Sequence, residues 1–132
     1  MNEICLCVAK APLSGLPETF PSLKLVFTHL GSSVPFLFQR MGRGAHAPEV
    51  GKTYSFRKDF EKLYFGTVSF HEPALRCAVD TISIYRLLLG SDYPFAAGDL
   101  VEAKESIRCS KIREEEMSRI FYKNANTLFD MG

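Results

Sequence analysis

The sequence predicts an α/β protein built on parallel strands, and three observations predict it. Three short apolar runs, Leu23–Thr28 (LKLVFT), Leu63–Val68 (LYFGTV) and Arg86–Leu89 (RLLL), have the length and residue types of strands. Each ends in a polar turn, and each turn leads into a segment with helical character. Strand, turn and helix repeated in this way imply parallel strands joined by right-handed crossovers.

Met1–Ala11 (MNEICLCVAKA) reads as an alternating, strand-like segment with half-buried thiols at Cys5 and Cys7, zinc ligation by the pair being the other reading. Leu23–Thr28, between Pro21 and Gly31, has the pattern of a strand buried on both faces, and His29 stands at its C-terminal end. Val34–Met41 follows as a helix with Pro35 in its first turn, where proline is tolerated. Gly42–Lys52, rich in Gly and Pro, reads as a rim loop containing His46. After Leu63–Val68 comes a helix over Glu72–Thr81, opened by Pro73, with Leu75, Ala78 and Val79 on one face. Arg86–Leu89 ends in Gly90-Ser91-Asp92-Tyr93-Pro94. Asp99–Ile107 reads as a helix and Ser110–Phe129 as a longer one. Its Glu114-Glu115-Glu116 suit the positive end of the helix dipole, and Met117, Ile120, Phe121, Ala125 and Leu128 form a core face. Three parallel strands make either a small open sheet or a slice of a closed barrel, and periodicity alone does not choose between them.

Composition narrows the function. At 132 residues and 46% apolar content the chain can bury a core of its own. Sixteen basic and fifteen acidic residues leave a net charge of +1 with no cationic stripe, which argues against nucleic acid as a partner. The apolar runs fall well short of the roughly 20 residues of a membrane span. The N-terminus has Glu3 first and Lys10 last, unlike a secretory leader. Four cysteines, at 5, 7, 77 and 109, match neither a zinc ribbon nor a dense disulfide framework, so a reducing, cytoplasmic setting is expected.

Active sites of parallel α/β folds gather at the C-terminal ends of the strands, which singles out His29, Thr67 and Asp92. A histidine and an aspartate facing one mouth can serve as acid/base group and metal ligand. The alternative for both is a cap on the helix that follows.

These residues carry a family resemblance. Leu23–Gly31, with Pro21 before it and Pro35 and Arg40 after it, resembles the sixth strand and following helix of the amidohydrolase-2 group of metal-dependent hydrolases and decarboxylases. Leu88–Phe95, containing Gly90-Ser91-Asp92-Tyr93-Pro94, is similar to the group's eighth-strand signature, and Ile120–Ala125 through Phe129 to its closing helix. The resemblance spans about residues 16–132 and leaves 1–15 unplaced. It implies the C-terminal part of a TIM (β/α)8 barrel, with about three βα units and closing helices. It further implies that Asp92 binds a divalent metal, usually zinc, or serves as base toward its water. His29 is then the acid/base residue, and Arg40 meets a substrate carboxylate. Taken alone, Arg40 also reads as a solvated arginine on a helix flank.

The chain also departs from the group. Among its three histidines, His29, His46 and His71, no H-x-H pair occurs, and catalytic zinc needs about three protein ligands. The chain alone is therefore expected to bind metal poorly and to be inactive, as a truncated product or fragment. Gly31-Ser32 replaces a Gly-Gly pair, and Gly66 stands where the group often has an aspartate. His71, just before Pro73, is placed either to contact substrate or to sit in solvent. Two functions compete: a metal-dependent hydrolase or carboxy-lyase acting on a small carboxylated substrate, possible as a homo-oligomer, and a non-catalytic remnant that associates with a partner. An anion-binding module using Arg40 and Arg43 is a third.

Overall fold

The computed structural model describes residues 1–45 and 55–131. In order along the chain these form α1 (Asn2–Leu13), α2 (Leu16–Thr19), β1 (Val26–Phe27), α3 (Val34–Gly44), α4 (Phe56–Phe60), β2 (Tyr64–Gly66), α5 (Glu72–Thr81), β3 (Leu87–Leu88), α6 (Leu100–Cys109), α7 (Glu114–Ser118) and α8 (Asn124–Phe129). Short 3-10 turns at His29–Gly31 and Ile84–Arg86 and a π turn at Arg119–Lys123 complete them. The sheet has the order β1-β2-β3 and both pairings are parallel, with Phe27 opposite Phe65 and Phe65 opposite Leu87.

Alternation along the strands sorts their side chains onto two faces. Phe65 and Leu87, both fully buried, join the main core with Val8 of α1, Val34 and Phe38 of α3, Phe60 of α4, Leu75 of α5 and Ile107 of α6. Tyr64 and Leu88 face the other way and pack with Leu128 of α8. Full burial of a side chain such as Phe65 is worth about 1.5–3 kcal/mol of transfer free energy.

Three expectations are corrected. Residues 2–13 are a helix, not a strand-like segment, and Val8 and Ala11 bury their side chains in the core. In a helix, side chains two apart point in different directions, which also removes the geometric basis for Cys5 and Cys7 as a ligand pair. The first strand is not buried on both faces: Leu23 and Val26 are 47% and 45% exposed, because β1 is an outer strand of the sheet. The expected helix over Ser110–Phe129 starts later: Lys111 has a left-handed φ of 59°, the helix begins at Glu114, and it then runs without a break to Phe129, widened into a π turn at Arg119–Lys123. That wide turn lies where the helix is tied to β3. The Leu89 amide donates to the Ile120 carbonyl at 2.9 Å, and Asn124 Nδ2 donates to the carbonyls of Ile84 and Leu87, each at 2.8 Å.

The helix expected over Val34–Met41 runs on through Gly44, and the remainder of the rim loop from 46 to 52, His46 included, lies outside the described residues. No helix among the described residues is long and apolar enough to cross a membrane.

Candidate active site

The C-terminal end of β1 turns at once. The Gly31 amide donates to Thr28 at 3.0 Å and the Ser32 amide to His29 at 2.7 Å, closing a turn in which His29, Leu30, Gly31 and Ser32 all have positive φ. Gly31 is required there twice over, by its φ of +73° and by Phe65, whose Cε1 would lie 2.9 Å from any Cβ. The tight turn lifts His29 off the strand end. Beyond β3, Asp92 also has a left-handed φ, 61°, and its carbonyl accepts from the Phe95 amide at 2.9 Å.

The two strand ends bring His29 and Asp92 together. Their Nε2 and Oδ1 atoms are 4.0 Å apart, and the side chains are 24% and 26% exposed. This is too long for a hydrogen bond and sits at the outer limit of an ion pair with a protonated imidazole. Neither side chain caps a helix. Ser33 stands at the N-cap of α3, and Asp99, not Asp92, caps α6, its Oδ1 accepting from the amides of Val101 and Glu102 at 2.7 and 2.9 Å. The capping alternative for His29 and Asp92 therefore has no support in the geometry.

Thr67, the third strand-end candidate, is a linker between strands. It is 2% exposed, its amide donates to Leu88 at 2.9 Å and its Oγ1 accepts from the Gly90 amide at 3.4 Å. Arg40 is exposed on α3, nearly two turns from the end of the helix beside His29. Gly66, in place of the expected carboxylate, leaves ordinary van der Waals space: a Cβ there would have nothing nearer than 3.8 Å.

One residue beside the site, Gly98, was given no role from sequence, and another, His71, was left between substrate contact and solvent. Gly98 lies against the Asp92 backbone, so that a Cβ would be 2.6 Å from the Asp92 carbonyl carbon and 2.8 Å from the Ser91 oxygen. A glycine six residues past a strand-end aspartate carries no signal of its own. His71 lines a cavity of about 510 Å3 that His29 also lines, together with Phe36, Val68 and Ser69. Its position before a helix-opening proline was visible, but not the cavity.

A tetrahedral metal holds donor atoms about 2 Å from itself and, in a catalytic site, about three of them come from protein. Asp92 and His29 supply at most two donors between them, fewer than a catalytic site needs. No group of three His, Cys, Asp or Glu side chains able to hold a metal occurs among the described residues. These residues therefore do not by themselves fit a metal ion.

Comparison with known proteins agrees with the fold. The chain is 32% identical over 112 residues to a 2-amino-3-carboxymuconate-6-semialdehyde decarboxylase of Dictyostelium discoideum, covering 80% of this chain and 31% of the relative. Among solved structures, a dihydroxybenzoic acid decarboxylase of a Polaromonas species, bound to manganese and the inhibitor 2-nitroresorcinol, superposes with a TM-score of 0.82 at 24% identity, covering 96% of this chain and 40% of that one. A 5-carboxyvanillate decarboxylase of Sphingomonas paucimobilis superposes with a TM-score of 0.79 at 26% identity, over 92% and 38% of the two chains. The chain thus spans 31% to 40% of the length of these relatives, and its three strands are a segment of a (β/α)8 barrel. The Amidohydrolase family model matches residues 9–131, nearly the whole chain and all three strands that carry the site, and the chain belongs to that family.

Proposed function

We propose that this chain is the catalytic C-terminal part of a metal-dependent carboxy-lyase, a decarboxylase of a small carboxylated substrate, and that it is inactive without the rest of a barrel. The observation that carries the proposal is the approach of His29 Nε2 to Asp92 Oδ1, 4.0 Å, at the C-terminal ends of β1 and β3. The names of the Dictyostelium and Sphingomonas relatives favour decarboxylation over hydrolysis. Loss of carbon dioxide leaves an electron pair on the carbon that bore the carboxylate, and that carbon must take up a proton. In this reading the His29 imidazole donates it as general acid.

Asp92 is proposed as one ligand of a divalent ion whose other ligands lie outside the described residues. Zinc is the ion the family resemblance implies, and manganese is bound in the Polaromonas structure. Arg40 is proposed to contact a substrate carboxylate, for which a guanidinium fork is suited. A cytoplasmic setting is consistent with four unpaired cysteines. A second reading, a non-catalytic remnant that only associates with a partner, is favoured by the incomplete donor set.

Co-expression with the N-terminal part of the Dictyostelium relative tests the proposal. Carbon dioxide release from 2-amino-3-carboxymuconate semialdehyde or a dihydroxybenzoate is expected from the completed barrel, reduced about 10²–10⁴-fold by His29→Ala. Arg40→Ala is expected to raise KM more than it lowers kcat. Assembly of a stable barrel that releases no carbon dioxide from either substrate would favour the remnant.

A further inference from the structure

The turn that carries His29 is strained, and β1 alone does not hold it. His29, Leu30 and Ser32 have φ of 52°, 54° and 63°, a region that residues with a Cβ enter only at a cost, above all a bulky one such as Leu30. A conformation of this kind persists where neighbouring structure fixes it. β1 has two residues and, among the described residues, pairs only with β2, so further support has to come from outside the sheet.

Two elements close on the turn. Phe65 of β2 presses on Gly31, its Cε1 lying 2.9 Å from where a Cβ would stand, and Val8 of α1 reaches the same point with its Cγ2 at 3.6 Å. Val8 is fully buried. Cys5, one helical turn before it, shares that face of α1, and its Sγ accepts a hydrogen bond from the Ser33 hydroxyl at 3.2 Å. Ser33 is the N-cap residue of α3, yet its side chain makes no capping bond there. Its hydroxyl goes to α1 instead, which ties the exit of the turn to a helix far away in sequence. Met1, at the head of α1, lines the cavity beside His29 together with Ser32.

From these contacts we infer that Cys5 is a positioning residue for His29: through Ser33 its thiol fixes the exit of the strained turn, while Val8 and Phe65 fix its middle. The relevance of His29 to catalysis rests on the proposed function, and the hold on its turn does not. Cys7, exposed on α1, takes no part.

Hydrogen exchange of the 132-residue chain, followed by NMR, tests the inference. The Gly31 and Ser32 amides, which donate to the carbonyls of Thr28 and His29, report on the turn, and the Thr67 amide, which donates to Leu88, reports on the sheet. Cys5→Ala is expected to speed exchange at Gly31 and Ser32 about 2–10-fold, the worth of one neutral hydrogen bond, and to shift the His29 Cε1–H resonance while Thr67 stays as it was. Cys5→Ser, which keeps an acceptor for Ser33, restores the parental rates, and Cys7→Ala leaves them unchanged. Unaltered exchange at Ser32 in Cys5→Ala overturns the inference, as does an equal acceleration at Ser32 and Thr67, which would make Cys5 ordinary packing. A turn loosened by Cys5→Ala, beside a completed barrel that releases no carbon dioxide, would instead sink the decarboxylase reading and leave this one standing.

Discussion

Ser32 occupies a backbone conformation, φ 63° and ψ −125°, that suits glycine and strains any residue with a Cβ. Family resemblance placed a glycine pair here, and the structure supplies the reason for the pair. Ser32→Gly is expected to stabilise the chain by about 1 kcal/mol, measured by urea unfolding, and a destabilised variant would mean that the hydroxyl has a role outweighing the strain. Gly98 makes the opposite case. Its Cβ would collide with the main chain of Asp92, so Gly98→Ala is expected to cost about 1–3 kcal/mol and to move Asp92 away from His29. A melt unchanged from the parent would show that the loop yields freely. The positions of His29 and Asp92 at strand ends were readable, because His29 directly follows one apolar run and Asp92 stands in the polar turn after another, and strand ends are where parallel folds place polar side chains. Gly98 was not, because the contact is made only when a loop folds back.

At the level of elements, the helices with a proline in the first turn and a regular apolar face were found within a few residues of their ends, as α5 shows over Glu72–Thr81. The short ones were missed. Phe56–Phe60 has five residues, too few for periodicity to register, yet α4 places Phe60 against Phe38 and Phe65 with ring centroids 4.7 and 5.2 Å apart. Phe60→Ala is expected to lose about 3–5 kcal/mol by urea unfolding, and a loss under 1 kcal/mol would mean that this cluster is not the core it resembles. The π turn was equally invisible, since it answers to hydrogen bonds made across the fold. Asn124 is 4% exposed and satisfies two carbonyls around β3. Its replacement by alanine leaves both without that donor, for an expected cost of about 2 kcal/mol. At the start of α7, the Arg113 guanidinium hydrogen-bonded to Glu116 holds that carboxyl below its ordinary range. A folded-state value below the unfolded one stabilises at neutral pH and is lost as pH falls through the folded value, so Glu116→Gln should flatten the acid side of a stability profile slightly.

For the molecule as a whole, repetition of strand, turn and helix was enough to specify a parallel α/β arrangement, and β1-β2-β3 follows chain order as short crossovers require. Whether those strands belong to an open sheet or a barrel was not written in their periodicity. It came from the order of motifs and from the superposition on barrel decarboxylases. The exposure of Leu23, before β1, and of Val26 within it belongs to the same scale, since burial of an outer strand depends on what pairs beside it and not on its own residues. In the proposed function His29 and Asp92 form part of a catalytic site whose metal the described residues do not hold unaided. Elemental analysis of the purified 132-residue chain after incubation with zinc or manganese, beside Asp92→Ala, tests it most directly. Far less than one ion per chain in both proteins is the predicted result, whereas near-stoichiometric metal that disappears in Asp92→Ala would contradict it.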